Sequence, residues 1–381
     1  MELFNPLSSD WLSYKFEMYK KMQVMDTAYY CEKYNGYVFT RYDDVKYALK
    51  NHDIFSSGRG NLIQESPHRF NRTLGASDDP MHSILKNIVK EAYSKENIQR
   101  IVNCFVERST ELLAVNNSVF NLSSLVEEAS AWVSTEILNL PHCKKEVHRL
   151  VLGILRYASQ SVAHNVDQSY YNEFTKLIVS LLKNKVPSVG PGIYHEFITH
   201  SKDDTLISLF TGPTISGVGS LSGALGFLAV DLYREDLFET LNQDRSLIPG
   251  LINESLRYNS SSGRKVRTVT RDISMHNVSL KLGDKVILSL EAANRDPNMF
   301  ADPDKFLPER ENAGSLAFGY GMHACIASVI SKKVLQVWVE LLLGTLGKYK
   351  ITPDPSGFVF QITSSGNQDS VTNLMVETIR G

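Results

Sequence analysis

Three kinds of hydrophobic spacing divide the chain. Near its C-terminal end Ile326, Val329, Ile330, Val334, Val337, Trp338, Leu341 and Leu342 recur at helical intervals, marking one buried face. From Thr205 to Val230 no residue carries a charge, which predicts a central helix buried all round. Between the two, apolar and polar positions alternate over Val266–Thr270, Val278–Leu282 and, after a Gly283-Asp284 turn, Val286–Leu290. That alternation predicts short strands.

Upstream, a hairpin is expected from Tyr29 to Tyr42, turning at Asn35-Gly36. Asp43 or Asp44 is expected to cap a short helix through Leu49. Residues 55–77 read as a long irregular loop, and a helix opens at Asp79-Pro80 with proline in its first turn. From about Glu96 to Ser201 the chain reads as mostly helical. The fold class is mainly α with small β-sheets. Without repeats or low-complexity tracts, residues 1–381 read as a single folded unit.

Thr205–Val230 is also long enough to cross a membrane, and Gly219 and Gly223 form a G-x-x-x-G pair. Pro213, the glycine and serine content and the lack of aromatic or basic flanks weigh against a span. Apolar residues make up 43% of the 381 and charged residues 22%, with a net charge of −2. Such a balance offers no global attraction to nucleic acid or to an anionic membrane. The first residues, Met1 to Pro6, lack the basic and apolar regions of a signal peptide, so a cytoplasmic location is expected. Cys31, Cys104, Cys143 and Cys325 are scattered with no Cys-x-x-Cys pair, which argues against a disulfide framework and a zinc site.

Chemistry concentrates around Cys325. Gly319 and Gly321, one residue apart, let the backbone turn tightly and approach a flat partner. The cysteine sits where the apolar helix begins, where free N–H groups and the dipole favour thiolate. Such a thiolate suits one axial bond to a metal cofactor; the competing reading is a buried structural cysteine. Elsewhere His82 and Lys86 lie four apart on one helix face and could hold an anion, or could be a surface pair.

The string Phe318-Gly319-Tyr320-Gly321-Met322-His323-Ala324-Cys325-Ile326-Ala327 resembles the heme-binding loop of the cytochrome P-450 family, Phe-Gly-x-Gly-x-His-x-Cys-x-Gly/Ala. Phe318, Gly319, Gly321, His323, Cys325 and Ala327 match. The resemblance implies a triangular helical prism with a central distal helix, and heme b with Cys325 as its axial thiolate and metal ligand. Asp78-x-Pro80-x-His82-x-x-x-Lys86 is similar to the family's Asp-x-Pro-x-His-x-x-x-Arg helix, with Lys86 in place of arginine. His82, Lys86, Arg267 and His323 are thereby implied to pair with the propionates, and Phe318 and Gly319 to cradle the cofactor. Glu254-Ser255-Leu256-Arg257 resembles the Glu-x-x-Arg brace, with Arg310 as its later partner. Tyr157–Phe197 corresponds to the lid.

One departure stands out. The family's central helix carries Ala-Gly-x-Asp/Glu-Thr, an acid–alcohol pair that relays protons. Counted back from Glu254 without gaps, that pentad falls on Ile215-Ser216-Gly217-Val218-Gly219, so Val218 replaces the acid and Gly219 the alcohol, with Ser220 next door. This favours oxidative radical coupling of a small aromatic or phenolic metabolite, whose own O–H or N–H supplies protons. The alternative is conventional hydroxylation with Ser216, Ser220 or water as relay. A heme-binding sensor without turnover and a non-heme helical interaction protein are further readings. Arg264 and Lys265 are candidates to face an acidic group of the substrate. The family resemblance also implies a ferredoxin-type electron donor with its reductase, for which Lys332 and Lys333 offer a docking face.

Overall fold

The structure, a computed structural model, describes residues 2–8, 10–65, 69–114, 119–160, 169–201, 204–310, 314–346, 349–350, 362–364 and 366–378. Its centre is the uncharged segment. A π turn over Gly212–Gly217 runs into a helix, Val218–Arg234, whose Val218, Leu221, Leu225, Leu228 and Leu232 are buried. Pro213 lies in the π turn, where its missing N–H disturbs the regular ladder. Around this helix pack Leu122–Leu138, Lys144–Gln160, Ile248–Asn259 and Ser328–Leu346. Trp338 fixes the last of these by donating its indole N–H to the Leu225 carbonyl at 3.1 Å. Ile207–Arg234 is long and apolar enough to cross a membrane, but 67% of its most apolar window is buried inside the protein.

A five-stranded sheet stands beside the helices in the order Tyr29–Cys31, Gly36–Phe39, Lys285–Ser289, Arg264–Val269, Phe55–Ser56. The expected hairpin pairs Tyr29 with Val38, and Asn35 takes the left-handed conformation (φ 48°) its turn needs. Asp43 and Asp44 do not cap the next helix. Arg41 occupies that position without a side-chain cap, and the two acids sit in the first turn of Tyr42–Lys50. The strand expected at Val266–Thr270 begins earlier, at Arg264. Of the implied lid, residues 161–168 lie outside the described residues; Ser169–Lys183 and Ile193–His200 are helices.

A second hairpin, Ile362–Ser364 with Asp369–Val371, leans on the central helix. The helix receives it on a face of small residues. A Cβ on Gly223 would lie 2.6 Å from the Asp369 carbonyl oxygen, and one on Gly226 would lie 3.1 Å from Val371 Cβ. Close backbone approach is what the G-x-x-x-G spacing serves here.

Candidate functional site

A cavity of about 300 Å³ opens between the central helix and the loop before Ser328–Leu346. Phe318, Gly319, His323 and Cys325 line it from the loop, His82 and Lys86 from the helix Met81–Val89, and Lys265 and Arg267 from the sheet. Alternation along Arg264–Val269 explains the last pair, since residues two apart share a face. Of the four cysteines only Cys325 reaches this cavity.

Gly319 and Gly321 adopt φ values of +70° and +72°, which a side chain rarely tolerates, and Cys325 N–H closes the turn onto the Phe318 carbonyl at 2.9 Å. Cys325 is solvent-accessible toward the cavity while protein packs its other sides. That burial pushes its thiol up, against the Ala327 N–H and the Lys265 charge, which pull it down. Burial therefore works against the thiolate expected from a helix N-terminus. The helix starts three residues later, at Ser328, and desolvation wins.

The cavity wall is rich in cationic and imidazole nitrogen without protein partners. His82 and His323 meet edge to face with ring centroids 4.6 Å apart. Among the described residues His82 Nδ1, both ring nitrogens of His323 and Arg267 Nε have no hydrogen-bond partner. Burial pushes His323 down to about 3, helped by Arg267 and His82. It also lowers His82, with Lys86 adding to the effect. For the same reason Arg267 falls to about 10 and Lys265 to about 8. Asp78, the acid nearest Arg267, is already engaged by Ser56 and by the Ser57 N–H. Buried basic groups left this way call for an anion from outside the chain.

Heme fits these residues. Two carboxylates would satisfy the unpartnered nitrogens, the paired glycines admit a flat ring, and a lone cysteine faces the space. No cluster of three or more His, Cys, Asp or Glu able to hold a bare ion occurs among the described residues, so a metal here must bring its own chelate.

Residues 239–355 match the sequence profile of the cytochrome P-450 family. Steroid C26-monooxygenase of Mycolicibacterium smegmatis is 26% identical over 345 residues, covering 84% of each chain. Pulcherriminic acid synthase of Bacillus subtilis is 22% identical over 382 residues, 93% of each. In structure the chain resembles CalO2, with a TM-score of 0.84 at 18% identity and 99% of each chain covered. A mutant of EryK in complex with erythromycin B gives 0.83 at 19% identity, covering 98% of each. The chain thus matches the cytochrome P-450 family in profile, in sequence relatives and in fold. Its fold is the P-450 fold, and its cofactor is heme with a cysteine thiolate as axial ligand.

In this chain the three expected members of the brace come together. Arg257 donates to both oxygens of Glu254, Nε at 2.8 Å and Nη2 at 2.7 Å, and Arg310 Nε donates to Glu254 Oε1 at 3.2 Å. Arg257 also reaches the carbonyls of Asn294 and Pro303, and Arg310 those of Ala301 and Asp302. The pair is fully buried and carries the segment that leads into the cysteine loop.

The distal wall differs from expectation. Val218 and Gly219 do not line the cavity. Val218 is fully buried in the helical core, and a Cβ on Gly219 would point at Gln368 Oε1, 2.6 Å away. The cavity face carries Ser216, Gly217 and Ser220 instead. Ser220 Oγ donates to the Ser216 carbonyl at 2.7 Å. The cavity therefore meets the helix at Ser216, Gly217 and Ser220 rather than at the two positions picked out by an ungapped count. The hydroxyl on that face is Ser220's, and its neighbour Gly219 offers no side chain.

Arg264 is a second correction. It is fully buried on the face of its strand opposite Lys265, away from the cavity, in a closed ion-pair network. Its guanidinium meets Glu291 at 2.8 Å and Asp369, and Lys15 Nζ meets the same two carboxylates at 2.6 Å each. Tyr19 Oη donates to Glu291 at 2.6 Å. Sequence reading missed Gln368, which lines the cavity, as well as this network. Nothing local marks residues drawn from four distant segments.

Proposed function

We propose that this P-450 is a monooxygenase that inserts one oxygen atom into a small organic molecule, with Cys325 as the axial ligand. The Ser220 hydroxyl on the cavity wall carries that reading, because a distal alcohol is the group a hydroxylase needs to hand protons to bound oxygen. The names of the relatives, a steroid monooxygenase among them, support it. Heme supplies the oxidising chemistry, to which a thiolate ligand pushes electron density. The chain does the rest. Arg267, His323, His82 and Lys86 hold the two carboxylates of the cofactor, and Ser220 and Ser216 hold a proton-bearing hydroxyl and an acceptor carbonyl at the distal wall. Phe318 and Gly319 bound the ring.

Lys265 is assigned to an anionic or phenolic oxygen of the substrate. It lines the cavity, donates to Ser262 Oγ at 2.7 Å and has only cationic side chains and Cys325 as charged neighbours. Electrons come from a ferredoxin-type partner at the exposed Lys332 and Lys333, the former 5.9 Å from the Phe318 ring. Reversing both charges should raise the KM for ferredoxin at low salt; an unchanged KM would remove that face from consideration. We also take the chain as one folded unit, since Lys15 and Asp369, near its two ends, share a buried ion pair. Two separated unfolding transitions would contradict this.

The test has two stages. Reduced protein with carbon monoxide should give the thiolate-type band, and Cys325→Ser should abolish it. Mass analysis of turnover products should then show a gain of one oxygen. Loss of two hydrogens on joining two aromatics would instead favour the second reading, oxidative coupling, which the lack of an acid–alcohol pair at Val218 and Gly219 keeps in view.

A further inference from the structure

Gly219, next to the cavity-facing Ser220, lacks a side chain, yet that space is filled. Gln368, from the turn of the C-terminal hairpin, places Oε1 2.6 Å from the position a Gly219 Cβ would take. Its Nε2 donates at 3.2 Å to the Ser216 carbonyl, the same oxygen that accepts from Ser220 Oγ. We propose that Gln368 is a positioning residue for the distal alcohol: a polar side chain delivered from another segment of the chain, standing over the bare backbone of Gly219.

Three observations carry this beyond proximity. Gln368 and Ser220 both line the cavity, so the amide, hydroxyl and shared carbonyl form one polar edge on an otherwise apolar helix. The hairpin is anchored on both sides of Gln368. Asn367 accepts from the Ile63 N–H and donates to the Arg264 carbonyl, while Asp369 is clamped by Arg264 and Lys15. Finally, Ser261 ties the two walls, taking the Asp369 N–H on its carbonyl at 3.0 Å and donating its Oγ to the Ser220 carbonyl at 2.8 Å. The buried ion-pair network thus has a functional consequence, holding Gln368 against the helix.

An amide neither gains nor loses a proton near neutral pH, but it donates and accepts at once. Its work is to orient the Ser216–Ser220 edge and the water there rather than to supply a proton. The inference rests on the monooxygenase reading, and the measurements separate the two. Holoenzyme is supplied with NADPH, a plant-type ferredoxin and its reductase, and peroxide released per NADPH oxidised is measured. Two electrons and two protons take oxygen to peroxide, whereas four of each take it to two waters, so poor proton delivery appears as peroxide. Gln368→Leu should keep the carbon monoxide band and raise the peroxide fraction about threefold or more. It should also speed hydrogen exchange over residues 212–221.

Gln368→Glu should recover the coupling below the pKa of the new carboxyl, whose O–H can then donate to the Ser216 carbonyl, and lose it above, giving the peroxide fraction a pH dependence that wild type lacks. A passive packing role would not produce that dependence. Gly219→Ala, which pushes Gln368 aside without altering it, should leak peroxide like Gln368→Leu and serves if the latter fails to load heme. Wild-type peroxide yield in Gln368→Leu or Gly219→Ala, or a Glu variant as leaky as the Leu variant at every pH, overturns the assignment. Absence of the thiolate-type band in wild type would overturn the monooxygenase reading alone; unchanged exchange over residues 212–221 in Gln368→Leu would still count against Gln368.

Discussion

Two clusters of charge meet opposite faces of one strand, Arg264–Val269, and they are built on opposite principles. On one face Arg264 and Lys15 meet Glu291 and Asp369, two cations against two anions, and the ion pairs between them are buried. On the other face Lys265 and Arg267 join His82, Lys86 and His323 with no free carboxylate among them. A balanced buried cluster is complete as it stands and does structural work. An unbalanced one is a socket, stable only because something else brings the missing charge.

The sharpest break is on the balanced side. Arg264→Met leaves Glu291 and Asp369 buried with Lys15 alone, so the unfolding free energy in urea should fall by about 3–5 kcal/mol. A loss under about 1 kcal/mol would mean the network is not the clamp described. Arg267→Met, on the socket side, should leave the cofactor-free protein as stable as wild type or about 1 kcal/mol more so, because an unpaired buried cation is removed. Hemin affinity should nevertheless drop about 30-fold, roughly 2 kcal/mol. Equal destabilisation by both substitutions would erase the distinction between the clusters.

Acid separates them next. Burial holds the folded His323 pKa near 3, below the roughly 6.5 of an unfolded histidine, so below about pH 6.5 the unfolded chain binds the proton first. Stability of the cofactor-free protein therefore declines from about pH 6.5 downward, and His323→Gln should flatten that decline. In Asp369 burial pushes the carboxyl up, but Arg264 and Lys15 overcome it and hold it at about 2. Its contribution is present above the unfolded value near 3.8 and is lost as pH falls through 2. The socket should weaken first and the clamp only in stronger acid. Reversal of that order in urea titrations at stepped pH would contradict the assignment. Smallest is Lys265→Met, which should weaken spectral binding of acidic aromatic ligands about 10-fold while leaving neutral analogues unchanged.

Much of the cofactor side was legible along the chain. The Phe318–Ala327 string, the His82–Lys86 spacing and the Glu254–Arg257 pair are local patterns, and local patterns fix which residues share a turn or a helix face. Arg264 and Lys265 were read together because they are adjacent, but adjacency in a strand means opposite faces. The distal wall differs from expectation for a related reason. A count along the chain cannot know which side of a helix buried all round faces a cavity.

The sequence by itself determined the helical class, the central uncharged helix and the cysteine loop, because these depend on spacing within a few turns. Tertiary structure alone decided that the Gly219–Gly223 face seats a hairpin, that Lys15 closes on Asp369, and that Gln368 fills the space beside Gly219. Such contacts join segments more than a hundred residues apart, and no periodicity along the chain records them.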